Sequence, residues 1–225
     1  MNIDEVIRRI GEIGIVPVVR AATLSDAMRA VEAICAGGIP IVEITMTVPD
    51  ATSLIAQVTR HFGGTVLVGA GTVTSAEHAR MCVDAGAEFL VSPGLSTTVL
   101  SVAQTCGRLA IPGALTPTEL MHAQASGAKL IKIFPCGNVG GPKYLRSLRA
   151  PFPGAALMPT GGVNTSNAAE FIAAGAFALG VGADLVSETA LRDGNLQKIT
   201  RTARDLVQAV ASARESISKR NSPVR

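Results

Sequence analysis

Short apolar runs alternate along the whole chain with stretches of helical periodicity, the pattern of strands and amphipathic helices in turn. The runs predict strands near 15–20, 41–47, 66–73, 89–93, 110–115, 130–135, 156–162 and 177–182. A helix follows each, and Thr23, Ser75, Thr116 and Thr165 stand where N-caps are needed. The opening "MNIDEVIRRIGEIG" reads as a further amphipathic helix over 1–14, and the last helix runs into a polar tail over about 217–225.

One joint recurs. In "AICAGGIPIVEIT", "CVDAGAEFLVSP", "AQASGAKLIKIFP" and "FIAAGAFALGVG" a helical pattern ends in a small-residue pair with glycine where a left-handed C-cap belongs, and an apolar strand follows at once. Eight such strand–helix units with short joints and no linker predict one α/β domain over 1–225, a (β/α)8 TIM barrel with an extra N-terminal helix. An open doubly wound sheet is the alternative, weakened by the absence of a GxGxxG turn after the first strand.

Two of these strands carry an ionisable residue where an apolar one is expected. In "KLIKIFP", Leu130, Lys132 and Phe134 share one face and Ile131 and Ile133 the other; in "IVEITMT", Glu43 shares a face with Ile41, Thr45 and Thr47. The wholly apolar faces must pack against helices, so Glu43 and Lys132 point into the barrel. Lysine often reaches water along its stem, and the two could pair only for stability, but the desolvation of a buried pair commonly cancels its attraction. Burial and a nearby Arg20 favour the free amine, which attacks carbonyls; pairing with Glu43 favours the ammonium. A carboxyl beside the amine can move the protons that imine chemistry needs.

Composition narrows the function classes. The formal charge is +3, its excess gathered in the last helix and tail, and aromatics make up only 3% of the chain, which gives a nucleic-acid partner little to hold. Four cysteines lack CxxC spacing, and Cys35, Cys82 and Cys106 fall on apolar helix faces, which predicts buried thiols in a reducing, cytoplasmic setting. No run reaches membrane-spanning length, and His61, His78 and His122 all fall on helices away from the strand ends, so neither a membrane nor a metal partner is expected.

The remaining strand ends supply smaller groups. Arg20 closes the first strand and could clamp a carboxylate; "GAGT" places Thr72 after the third and "SPG" places Pro93 after the fourth. "PTGGVN" and "GVGADLV" end the last two strands with Thr160, Gly161, Gly162, Gly182 and Ala183, where backbone amides and a following helix N-terminus suit a phosphate, unless the glycines serve only tight turns.

With "VEIT", "GAGT", "SPG", "KIFP" and "PTGG" in this order, the chain from about Ile10 to the final helix resembles the class I 2-keto-3-deoxy-6-phosphogluconate (KDPG) aldolases, a family that includes 4-hydroxy-2-oxoglutarate (KHG) aldolases. The resemblance implies a homotrimer working on a small keto acid without a cofactor. It implies Lys132 as the imine-forming residue, Glu43 as the general acid/base, Thr72 against the pyruvyl carboxylate, Phe134 beside the imine, and Gly161 and Gly162 binding phosphate. Two positions depart from the family pattern. Thr47 stands where many members have arginine, which leaves Arg20 to do that work, and Ala183 stands where a serine hydroxyl often meets phosphate. Substrates without phosphate or with galacto configuration therefore stay open, as does a non-catalytic barrel that only binds a sugar phosphate.

Overall fold

A computed structural model describes residues 1–221. After α1 (Ile3–Ile13) come β1 (Ile15–Val19), α2 (Leu24–Ala36), β2 (Ile41–Thr45), α3 (Ala51–Phe62), β3 (Leu67–Gly71), α4 (Ala76–Asp84), β4 (Phe89–Val91) and α5 (Thr97–Thr105). The chain continues through β5 (Leu109–Ile111), β6 (Gly113–Ala114), α6 (Pro117–Ala125), β7 (Ile131–Ile133), α7 (Gly141–Arg149), β8 (Leu157–Pro159), α8 (Ala168–Ala173), β9 (Leu179–Val181), α9 (Glu188–Arg192) and α10 (Leu196–Asn221). Of the stretch expected as a tail, 217–221 belong to α10 and 222–225 lie outside the described residues.

The strands are parallel and their register brings neighbouring C-terminal ends together, but they do not close into the eight-stranded barrel that the spacing predicts. A curled six-stranded half-barrel runs in the order β5, β4, β3, β2, β1, β9, and β6, β7, β8 form a separate three-stranded sheet. Both breaks fall at prolines. The strand expected over 110–115 is cut at Pro112: β5 before it pairs with β4 and β6 after it pairs with β7. The Pro112 carbonyl accepts from the Lys132 amide at 2.9 Å, so its edge faces β7, where it has no N–H to return. At the other break, Leu157 turns its carbonyl toward the chain entering β9, accepting from Phe177 at 2.9 Å, and Pro159, two residues on, faces the same way without a donor. A single bridge, Thr160 to Gly180, joins the sheets there.

The repeated joints are Schellman ends. Gly38, Gly86, Gly127 and Gly175 take φ between 83° and 105°, and the residue after each donates back to the helix, as from Ala87 to Cys82 at 2.9 Å. Thr23, Ser75 and Thr116 cap their helices through the side chain, Thr116 in a reciprocal capping box with Glu119. Thr165 does not: α8 starts later, behind Asn167, whose Oδ1 accepts from the Asn164 amide at 2.9 Å. All four cysteines are unpaired. Cys82 and Cys136 are buried and Cys35 half-buried, but Cys106 is exposed, because α5 ends one residue before it.

Candidate active site

The inner face of β2 carries Glu43 between two neighbours, Val18 of β1 and Gly69 of β3. The carboxyl leans across β3 at Gly71: a Cβ there would lie 2.0 Å from Glu43 Oε1, so the missing side chain is what makes room for it. Lys132 comes from the other sheet, paired with Gly113 of β6 and Met158 of β8. Its Nζ reaches to 3.9 Å from Glu43 Oε1 and 5.1 Å from the centre of the Phe134 ring. Glu43 is 0% exposed and Lys132 5%.

The pair is close enough for charge contact but too far apart for a hydrogen bond, and neither Glu43 oxygen has a hydrogen-bond partner. Burial pushes the Glu43 carboxyl above its ordinary range, and the cations Lys132 and Arg20 pull against it. Such a pair is poor mortar, since its desolvation is not repaid by hydrogen bonds.

Above it lies a cavity of about 180 Å³. Arg20, Lys132, Phe134 and Thr160 line it together with Gly161, Gly162, Gly182 and Ala183. Two further lining residues, Val18 and Asp184, were not singled out by the sequence pattern, although Asp184 stands inside "GVGADLV". Thr72, with φ of 57°, and the exposed Pro93 follow their strands and are not among the residues that line this cavity. Thr160 is buried; its hydroxyl donates to the Met158 carbonyl at 3.3 Å and fills the space over Gly180. Thr45, also passed over, is buried beside Glu43 and ties β2 to β1 through the Val19 carbonyl at 3.1 Å. Its Oγ1 lies 2.7 Å from that of Thr47, so Thr47 belongs to the support of the first strand's end, where Arg20 emerges.

The glycine loops have a defined polarity. Gly161 and Gly162 take φ of 86° and 77°, and their carbonyls accept from the Gly137 amide at 2.9 Å and from Asn167 Nδ2 at 2.8 Å. The Gly182 carbonyl accepts from Leu185 and Val186, both at 2.9 Å. A trans peptide sends its N–H opposite to its C=O, so the amides of Gly162 and Ala183 point away from these structural bonds. Helix dipoles add little. α8 and α9 are 6 and 5 residues long and begin at Ala168 and Glu188, beyond the glycines.

A larger groove of about 760 Å³ between α2 and α10 holds Arg29, Arg201 and Arg204, away from this chemistry. Arg29 pairs with Asp26 there and Arg204 donates to the Ala36 carbonyl at the end of α2. Among the described residues no group of three His, Cys, Asp or Glu side chains could hold a metal ion, and no helix is long and apolar enough to cross a membrane.

An amine and a carboxyl enclosed together beneath a small cavity suit carbon–carbon bond chemistry through an imine, the chemistry of a lyase of the aldolase type. The family model for KDPG and KHG aldolases matches residues 3–202, and the chain belongs to that family. It is 33% identical to the KHG/KDPG aldolase of Escherichia coli K12 over 194 residues, 86% of this chain and 91% of the relative. It is 32% identical to the 2-dehydro-3-deoxy-6-phosphogalactonate aldolase of the same organism, over 90% of this chain and 96% of that one. Among solved structures, KDPG aldolase from Legionella pneumophila, with pyruvate captured as a covalent carbinolamine, superposes with a TM-score of 0.82 at 31% identity, covering 89% of this chain and 97% of that one.

Proposed function

We propose that the protein cleaves 2-keto-3-deoxy-6-phosphogluconate to pyruvate and glyceraldehyde 3-phosphate, and 4-hydroxy-2-oxoglutarate to pyruvate and glyoxylate, through an imine on Lys132. The observation that carries the reading is the buried amine 3.9 Å from a carboxyl without hydrogen-bond partners, beneath a cavity that opens between the strand ends. The carbinolamine of the Legionella relative supports a covalent pyruvate intermediate.

Lys132 Nζ attacks the C2 ketone. Glu43, biased by burial toward its protonated form, gives its proton to the carbinolamine hydroxyl, and water leaves the iminium. The resulting carboxylate takes the C4 hydroxyl proton as the C3–C4 bond breaks, and the electron pair flows into the iminium to give an enamine. The aldehyde departs, Glu43 returns the proton to C3, and water hydrolyses the pyruvyl imine. Arg20, without a hydrogen bond or ion pair among the described residues, is free to clamp an anionic group of the substrate. In this reading Thr72 contacts the pyruvyl carboxylate, Pro93 and Phe134 shape the imine's surroundings, and the loop amides near Gly162 and Ala183 meet the distal phosphate.

Pyruvate with borohydride tests this directly. A stable added mass on the peptide holding Lys132, lost in Lys132→Ala, is expected; an unlabelled peptide, or activity abolished by EDTA, sinks the assignment. A homotrimer belongs to the same proposal, supported by the resemblance and by a designed cage of fused symmetric oligomeric domains that matches this fold with a TM-score of 0.84 at 28% identity, covering 93% of this chain and 76% of that one. Sedimentation at micromolar concentration should give a three-chain particle, and a monomer removes that part. A cytoplasmic setting is likewise proposed, in keeping with four unpaired thiols.

A further inference from the structure

With C2 of the substrate on Lys132, the rest of the molecule must extend through the cavity toward the loops after β8 and β9. Two charged residues are among those that line this cavity, Arg20 and Asp184, both exposed. Neither has a hydrogen bond or ion pair among the described residues, so both are open to a ligand. The Asp184 side chain only accepts hydrogen bonds when ionised. A sugar hydroxyl can donate to it; a phosphate dianion has no proton to offer and is repelled by it. The neighbouring Ala183 works in the same direction, because a methyl offers phosphate no donor. The short α8 and α9 begin too far along to offset this with their dipoles.

We infer that Asp184 is a specificity-determining residue, which turns the distal end of the site toward hydroxyl-terminated 2-keto-3-deoxy sugar acids and narrows the advantage of their phosphorylated counterparts. The inference rests on the aldolase reading above and places the selection at one side chain of its cavity. The carboxylate accepts from the terminal hydroxyl of the unphosphorylated acid while Arg20 and the loop amides still attract the phosphorylated one, so the parent enzyme uses both. Removing the charge while keeping the shape leaves only the attractive groups at that end.

The decisive measurement is kcat/KM for the phosphorylated and the unphosphorylated six-carbon acid, taken side by side in the parent and in Asp184→Asn, with Asp184→Ser as a second variant in case the first fails to fold. The ratio of the two reports differential transition-state binding and is insensitive to how much active enzyme is present. Each variant should raise the ratio of phosphorylated to unphosphorylated substrate about tenfold, with the phosphorylated acid gaining and the unphosphorylated one losing. A ratio within twofold of the parent's, or an equal fall for both substrates, overturns the role of Asp184. The borohydride trap on the parent separates the two levels: an adduct on Lys132 with an unmoved ratio leaves the aldolase and removes the selector, whereas a parent that forms no adduct takes down both.

Discussion

The two ends of the strands use similar charged residues and treat them in opposite ways. At the N-terminal end, where α1 packs, several charges are answered. Arg214 donates to the carbonyls of Gly11 and Glu12 at 2.7 and 2.8 Å, and Arg9 to that of Thr65 at 2.7 Å. Glu88 holds both the N-terminal ammonium at 3.1 Å and Arg108 at 2.7 Å. At the C-terminal end Glu43 is buried without a hydrogen-bond partner, and Arg20 and Asp184 have none among the described residues. Unmatched ionisable groups gathered at one end of the strands fit the proposal that a substrate binds there.

Breaking the unmatched end should cost activity before stability. Glu43→Gln keeps shape but carries no transferable proton, so kcat should fall about a thousandfold, within the usual range for a general acid/base. The same variant has a pH signature. Burial raises the folded Glu43 carboxyl above its ordinary value of 4.5, so the native state holds the proton more tightly than the unfolded chain. Its contribution to stability is complete below that value and is lost as pH rises toward the folded one. Melting temperatures between pH 4 and 8 should therefore show the parent losing ground to Glu43→Gln as pH increases; a parent that gains on the variant contradicts the burial argument.

Two glycines sharpen the contrast. Gly71→Ala at the mouth would drive a Cβ into the Glu43 carboxyl, 2.0 Å from its oxygen, and displace it from Lys132. Activity should drop about a hundredfold, the usual penalty of a misplaced catalytic group. Gly63→Ala at the base meets nothing within 4 Å and pays only for its φ of 54°, roughly 1 kcal/mol of stability with kcat/KM retained. Equal activity in the two alanine variants contradicts the placement of Glu43 against Gly71.

The same contrast explains what could be read in the residues. Glu43 and Lys132 stand out because alternation on an apolar strand leaves an ionisable side chain nowhere to go but inward, and the structure sets them 3.9 Å apart. The repeated helix ends were legible because a Schellman turn needs a glycine that the eye can find. Sheet closure was not: periodicity identifies a strand but not the neighbour that answers its N–H groups, and Pro112 and Pro159 each remove the donor a continuous ladder requires. Gly71 was hidden for a related reason, since its role is the absence of a side chain under another residue's carboxyl. Asp184 sat in a quoted motif, but glycines attract the phosphate argument and its charge becomes telling only when the cavity lining is known.

At the satisfied end the expected loss is in folding. Arg214→Ala strips the donors from the Gly11 and Glu12 carbonyls and should lower stability by about 2 kcal/mol, visible as a lower denaturant midpoint, with kcat/KM for pyruvate release unchanged. A large fall in kcat/KM with an unmoved midpoint reverses the division of labour between the two ends.

The smallest change belongs to the mouth and adds a partner instead of removing one. Ala183 lines the cavity beside Gly182, and its amide points away from the bonds that the Gly182 carbonyl makes to Leu185 and Val186. Ala183→Ser places a hydroxyl donor next to that amide, and one hydrogen bond to a charged oxygen is worth about 1 kcal/mol net in a site open to water. The phosphorylated substrate's kcat/KM should therefore rise about fivefold, with no change for 4-hydroxy-2-oxoglutarate, whose chain ends in a carboxylate at C5, one carbon short of the C6 that carries the phosphate, and stops before the loop. A gain shared by both substrates means that the hydroxyl acts on the loop and not on the phosphate. No gain at all, in a variant that melts like the parent, places the distal group of the substrate elsewhere than against Gly182 and Ala183.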